Sequence, residues 1–168
     1  MLGIETDLTG LVVWVPAYLI AAGAVLQQAT PSAKGSSDPS AEVDAAEAIV
    51  KAYVSAYEAK DVRKYLSLFS REGDFLDYGV QIHAKVRALK LELGRAFARG
   101  TFQFRVHSHF VSADGRFAAL QATYTDLARG GEPVSVPTLA ILEFGEGKII
   151  KEILYYDGSQ FKRHFHGA

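Results

Sequence analysis

Apolar positions recur at helical spacing through the first part of the chain's globular stretch and at a period of two through the rest. Ala46, Ile49, Val50, Tyr53, Val54 and Tyr57 fall three and four apart and form one stripe of a helix. Asp38-Pro39 ahead of them suits a helix start, because Asp can cap and Pro is tolerated at the first helical position. Asp61 can cap a second, shorter helix carrying Tyr65, Leu66, Leu68 and Phe69. Glu72-Gly73-Asp74 reads as a turn, and Phe75-Leu76-Asp77-Tyr78 as a short strand before Gly79. Val86, Leu89, Leu93 and Phe97 predict a third helix from about Ile82 to Ala98, ended by Gly100.

Beyond Gly100 the period changes to two. Phe102, Phe104, Val106, Ser108 and Phe110 alternate with Gln103, Arg105, His107, His109 and Val111, which sets His107 and His109 on one face of a strand. Asp114-Gly115, Gly130-Gly131 and Glu146-Gly147 are turn signals between further strands over Phe117 to Asp126, Val134 to Phe144 and Ile149 to Tyr156. Helices first and a meander of strands after them predict an α+β domain: a curved antiparallel sheet covered by about three N-terminal helices and enclosing a pocket.

Composition agrees with one domain. Of 168 residues 49% are apolar and 22% charged, which is ordinary globular usage, and the eight Tyr and ten Phe serve as core or as cavity lining. Lys and Arg total 18 against 19 Asp and Glu, so there is no basic surplus to displace counterions and no nucleic-acid partner is expected. The lack of cysteine excludes a disulfide framework, a thiolate nucleophile and Cys-ligated zinc. No Gly-rich phosphate loop follows a strand and no flavin or nicotinamide motif is present, so no cofactor is expected.

Residues 1–27 form a hydrophobic N-terminal segment whose stretch Leu11 to Leu26 carries no charge. Ala22-Gly23-Ala24 has the small-x-small pattern of a cleavage site, whereas the acidic start MLGIETD and Pro16 do not suit a signal. Residues 8–26 therefore read as an export signal or membrane anchor, as an extension from a mis-assigned start, or as a helix docked on the domain. The protein is exported or anchored in the first case and cytoplasmic if the segment is no signal. Membrane contact is expected only through this segment. Residues 28–40, rich in small polar residues and Pro, make a flexible linker; the domain spans residues 41–161, and residues 162–168 are a C-terminal tail holding His164 and His166.

AYEAKDVRKYLSLFS with Lys60-Asp61 at its corner, FLDYG, and GEGKIIKEILYYDGSQF occur in the order and spacing of the nuclear transport factor 2-like superfamily, and the chain resembles its SnoaL-like branch. The resemblance implies a cone-shaped α+β barrel open at one end and a homodimer through the sheet, without fixing the function. Against steroid delta-isomerases, Tyr53 and Asp77 match the tyrosine that donates to the enolate and the Asp that moves the proton, while Ala140 stands where the second acid is expected. Against limonene epoxide hydrolase, Gln121, Thr123 and Leu154 replace the Asp–Arg–Asp group. Against scytalone dehydratase, Tyr57-Glu58, Asp77-Tyr78 and His109-Phe110 match, and Gln121 replaces its second essential histidine.

Asp77 is accordingly the candidate base, since a carboxylate on an apolar strand is costly to bury without a partner or purpose; the alternative is a strand-end Asp making a turn. His109 and Tyr53 complete the candidate catalytic group, with His109 either a proton shuttle or a hydrogen-bonded structural histidine. Tyr57, Tyr78, His107, Gln121, Thr123 and Tyr156 are the candidate ligand-binding residues. The His107/His109 spacing has no third ligand at fixed spacing, so no metal site is expected. Two functions fit: a cofactor-independent acid/base isomerase or lyase (dehydratase or cyclase type) acting on a small, largely apolar, ring-containing molecule, or a non-catalytic ligand-binding or dimeric interaction domain of the same fold.

Overall fold

A computed structural model describes residues 39–100, 102–127 and 132–160, all inside one compact unit, Ser37–Ala168. The signal-or-anchor segment, residues 28–38 of the linker, the Gly130-Gly131 turn and the tail lie outside the described residues. Among those described, no helix is long and apolar enough to cross a membrane.

Helix α1 (Pro39–Glu58) buries Ala46, Val50, Tyr53 and Tyr57 of the predicted stripe together with Ala56, while Ile49 and Val54 pack half-buried beside them. The turn after it passes through Lys60, whose φ of 54° is left-handed, and Asp61 caps α2 (Val62–Ser67) by accepting the Lys64 N–H at 2.9 Å. Strand β1 (Phe69–Asp77) follows, then β2 (Ile82–Lys85), α3 (Lys90–Arg99), β3 (Phe102–Val111), β4 (Phe117–Asp126), β5 (Val134–Gly145) and β6 (Lys148–Tyr156). The six strands form one sheet in the order β2-β1-β6-β5-β4-β3. Every pairing is antiparallel except β1 with β6, which run parallel, so the sheet is mixed rather than a pure meander.

Three local expectations are corrected. The predicted third helix starts only at Lys90, because Ile82–Lys85 is taken up as an edge strand antiparallel to β1. That hairpin is fastened by the Lys85–Asp74 ion pair at 2.7 Å, and the Val86 N–H bonds the Gly73 carbonyl at 2.9 Å. Tertiary pairing here overrides a locally helical spacing, although Val86 and Phe97 still reach the core. Second, Glu72-Gly73-Asp74 is no free turn but lies within β1, where the register against β6 slips between Phe69 and Asp74.

The third correction concerns the histidines. Between Val106 and Ser108 the β3–β4 register shifts by one residue, leaving His107 as the extra residue of a bulge. A one-residue shift moves every following side chain to the other face. His109 therefore pairs with the fully buried Leu120 and faces α1, whereas His107 stays on the outer face.

The core lies between the helices and the inner face of the sheet. Its centre is a knot of rings, Tyr53, Tyr57, Tyr65, Phe97, Phe102 and Phe104, whose neighbouring centroids stand 4.8 to 6.2 Å apart. Such tilted and edge-to-face packing adds about 0.5–1.5 kcal/mol per pair to the burial itself.

Candidate functional site

The rings of that knot stop short of filling the cone. A cavity of about 660 Å³ remains between α3, the loop after β1 and the inner face of the sheet. Its walls are mostly apolar: Phe75, Phe97, Phe102, Phe104 and Leu154 meet Val80, Ile82 and Leu93 there. A volume of this order lies within the range of small-molecule sites in general. Glu92 and Arg99 on α3 and Asp126 at the end of β4 also line it, and the exposure of the first two marks the mouth.

Asp77, the last residue of β1, is the buried charge in this lining, only 7% exposed. Its Oδ1 accepts the N–H of Gly79 at 2.9 Å and of Val80 at 3.1 Å, so the strand-end turn foreseen for it is made. Its Oδ2 accepts the Tyr156 hydroxyl at 3.0 Å. Burial raises the Asp77 pKa, and these three hydrogen bonds work against the rise. A carboxylate offers about four lone-pair directions. These bonds take three, two on Oδ1 and one on Oδ2.

Three rings form a wall beside it. Phe102 stacks on Tyr124 with centroids 5.7 Å apart, and Tyr124 lies nearly parallel to Tyr156 at 6.4 Å. Burial, then the charge of Asp77, pushes the Tyr156 phenol well above its ordinary value; burial, then Asp126 and Asp77, does the same to Tyr124. Both phenols therefore stay protonated, and that of Tyr156 donates to Asp77.

Behind the wall lies a group the sequence did not single out. Glu152 is completely buried, and its two carboxyl oxygens each accept a tyrosine hydroxyl at 2.5 Å, Tyr53 on Oε1 and Tyr65 on Oε2. Burial pushes its pKa up to about 7, the two tyrosines hold it down, and the charge of Asp77 adds to the rise. Tyr57, whose ring lies 5.0 Å from that of Tyr53, lines the cavity and links it to this cluster. A signal for Glu152 exists: counted back from Tyr156 through Leu154, it falls on the inward parity of β6.

The structure brings Asp77, Tyr57 and Tyr156 to the cavity wall. Tyr53 lies behind it on Glu152. His109 does not meet Asp77: its Nε2 lies 2.9 Å from Glu47 Oε2 on α1, and it is absent from the cavity lining. His107 Nε2 lies 2.8 Å from Thr123 Oγ1, and Gln121 accepts the Ser108 hydroxyl at 3.1 Å, all on the outer face of the sheet. Tyr78, 48% exposed, stacks on Tyr155 with centroids 4.8 Å apart. Tyr124 and Thr138 are lining residues that the sequence reading passed over.

No curated protein matches the chain. Solved structures of the same fold do. Bal32a, from a soil-derived mobile gene cassette, superimposes with a TM-score of 0.63 at 22% identity over 71% of this chain and 95% of its own. SalBIII, an epoxide hydrolase/cyclase-like enzyme of pyran ring formation in the polyether salinomycin, gives 0.60 at 16% identity over 68% and 92%. A protein of ketosteroid isomerase-like fold from Catenulispora acidiphila, solved with trimethylamine, gives 0.56 at 19% identity over 67% and 87%. The profile of the SnoaL-like domain matches residues 50–152, more than half of the chain, from the middle of α1 to the buried Glu152, and the protein belongs to that family.

Proposed function

We propose that the cone binds a small, largely apolar, ring-containing molecule and that Asp77 moves a proton on it without a cofactor, in an isomerisation, dehydration or cyclisation. The observation that carries this reading is a buried carboxylate bordering an apolar cavity of about 660 Å³. Desolvation makes such a carboxylate a stronger base than one in water. In the enolate case Asp77 takes a proton from the carbon beside a carbonyl; the C–H electron pair becomes a carbon–carbon double bond, and the carbonyl π pair moves onto oxygen. A wall phenol, Tyr57 or Tyr124, stabilises that oxyanion by a hydrogen bond. Asp77 then returns the proton to another carbon. SalBIII acts in ring formation on the same fold, and ring closure is one reaction that such a base and donor serve.

The test is a thermal-shift screen of ketones and epoxides of two to four rings, followed by turnover of the hits, on wild type and Asp77→Asn. A shared ligand turned over by wild type, and about 100-fold or more slower by the variant, is expected. A second reading, a binder without catalysis, is favoured by the apolar Leu154 in the cavity wall, by Ala140 in the core and by His109 turned onto Glu47. A ligand held equally by both proteins and returned unchanged decides for it. A homodimer through the outer face of the sheet, where Phe110 stands 73% exposed, belongs to either reading; sedimentation as a monomer at micromolar concentration refutes it.

A further inference from the structure

Two glycines of the sequence motifs FLDYG and YYDG meet at the site. A Cβ added to Gly79 would lie 2.1 Å from Cε2, 2.2 Å from Cζ and 2.5 Å from Cδ2 of Tyr156. One added to Gly158 would lie 1.8 Å from the Gly79 carbonyl oxygen and 2.5 Å from its carbon. Real Cβ atoms do not come so close, so the Gly79 backbone rests on the Tyr156 ring and the Gly158 backbone rests on Gly79. Gly158 meets backbone, which cannot rotate away.

The contacts form a closed circuit. Asp77 Oδ1 holds the Gly79 N–H at 2.9 Å, Gly79 backs onto the Tyr156 ring, and the Tyr156 hydroxyl returns to Asp77 Oδ2 at 3.0 Å. Gly158 closes the circuit from outside, two residues beyond Tyr156 on the same chain. The loop is also tied to β6 by the Tyr78 N–H on the Leu154 carbonyl at 2.9 Å. The Tyr156 ring thus has the Gly79 backbone against it and Tyr124 as a near-parallel neighbour. Any side chain at position 79 would displace it.

We infer that Gly79 and Gly158 are positioning residues that hold the Tyr156 hydroxyl on Asp77 and so set how readily Asp77 takes a proton. The significance for turnover rests on Asp77 being the base proposed above; the circuit itself does not. Besides Tyr156, the titratable groups that face Asp77 electrostatically are Glu152 on β6 and Tyr124 on β4, and the glycine substitutions leave both in place.

The experiment is an NMR titration of the Asp77 side-chain carboxyl in wild type, Tyr156→Phe, Gly79→Ala, Gly158→Ala and the Gly79→Ala/Tyr156→Phe double variant. Loss of the phenol hydrogen bond is expected to raise the Asp77 midpoint by roughly one pH unit in Tyr156→Phe. Each glycine variant is expected to raise it as far, and the double variant no further. A folded Gly79→Ala with the wild-type midpoint, or shifts that add in the double variant, overturns the inference, since a glycine needed only for packing leaves that midpoint alone. If Gly79→Ala does not fold, Gly79→Ala/Tyr156→Leu removes the ring atoms it strikes and is expected to regain a cooperative thermal transition. Failure to regain it overturns the steric premise. Because turnover is not read, an Asp77 without catalytic function leaves this result standing.

Discussion

Glu152→Gln tests how the protein carries a carboxyl group sealed from water. The native group keeps its proton up to about pH 7, whereas the unfolded chain releases it near the ordinary value of 4.5. The stability this contributes is therefore fully present below pH 4.5 and is lost as the pH rises through about 7. A difference of that size corresponds to about 3 kcal/mol across the window. The substituted glutamine would stay neutral throughout; its amide oxygen can accept one tyrosine hydroxyl and its amide nitrogen can donate to the other, so the cluster remains bonded. The groups facing the site, Tyr53 and Tyr57 on α1, Tyr65 on α2 and Asp77 on β1, are unchanged by the substitution. Urea unfolding of both proteins from pH 4.5 to 8 is the assay, read as the difference in stability, which cancels titration elsewhere. The variant is expected to gain about 3 kcal/mol on wild type toward pH 8. Stability curves that run parallel would refute the reasoning, and a wild type that gains with rising pH would show that the two phenols more than compensate burial.

Two further predictions follow from single contacts. Asp61→Ala removes the cap on Lys64 N–H and is expected to cost about 1 kcal/mol in chemical denaturation, with no change in ligand affinity. His109→Gln breaks a partly exposed pair with Glu47 worth less than about 1 kcal/mol, and ligands found for wild type are expected to bind it equally. Weaker binding there, measured by calorimetry, would return His109 to the cavity.

What was legible in the sequence had a local cause. The stripe of α1, the cap at Asp61 and the turns with left-handed Gly115 and Gly147 are each set by residues within a few positions of one another. Asp77 stood out because its apolar neighbours on the strand made a carboxylate conspicuous, and Tyr57 and Tyr156 share the inward parity of their elements. The misreadings had distant causes. Whether Ile82–Lys85 is strand or helix depends on the free edge of β1. The bulge at His107 is a property of the β3–β4 register, and it alone separates two histidines that strict alternation keeps together. Glu152 was masked by its neighbours: in KIIKEILYY the lysines make it look like one more solvated charge, and only counting parity from Tyr156 reveals it.

The parallel pairing of β1 with β6 has a consequence for how the chain is made. Asp77 and Tyr156 are separated by 79 positions, and the first strand of the domain finds its inner neighbour only in the last. During synthesis β1 and its hairpin partner β2 leave the ribosome long before β6, exposing the apolar face of Phe75 and an unpaired strand edge. Contacts so distant in sequence close late, because their loop entropy must be met before they stabilise anything. The cone is therefore a late product of folding. A chain truncated before Lys148 would lack β6 and, with Leu154 and Tyr156, part of the cavity wall.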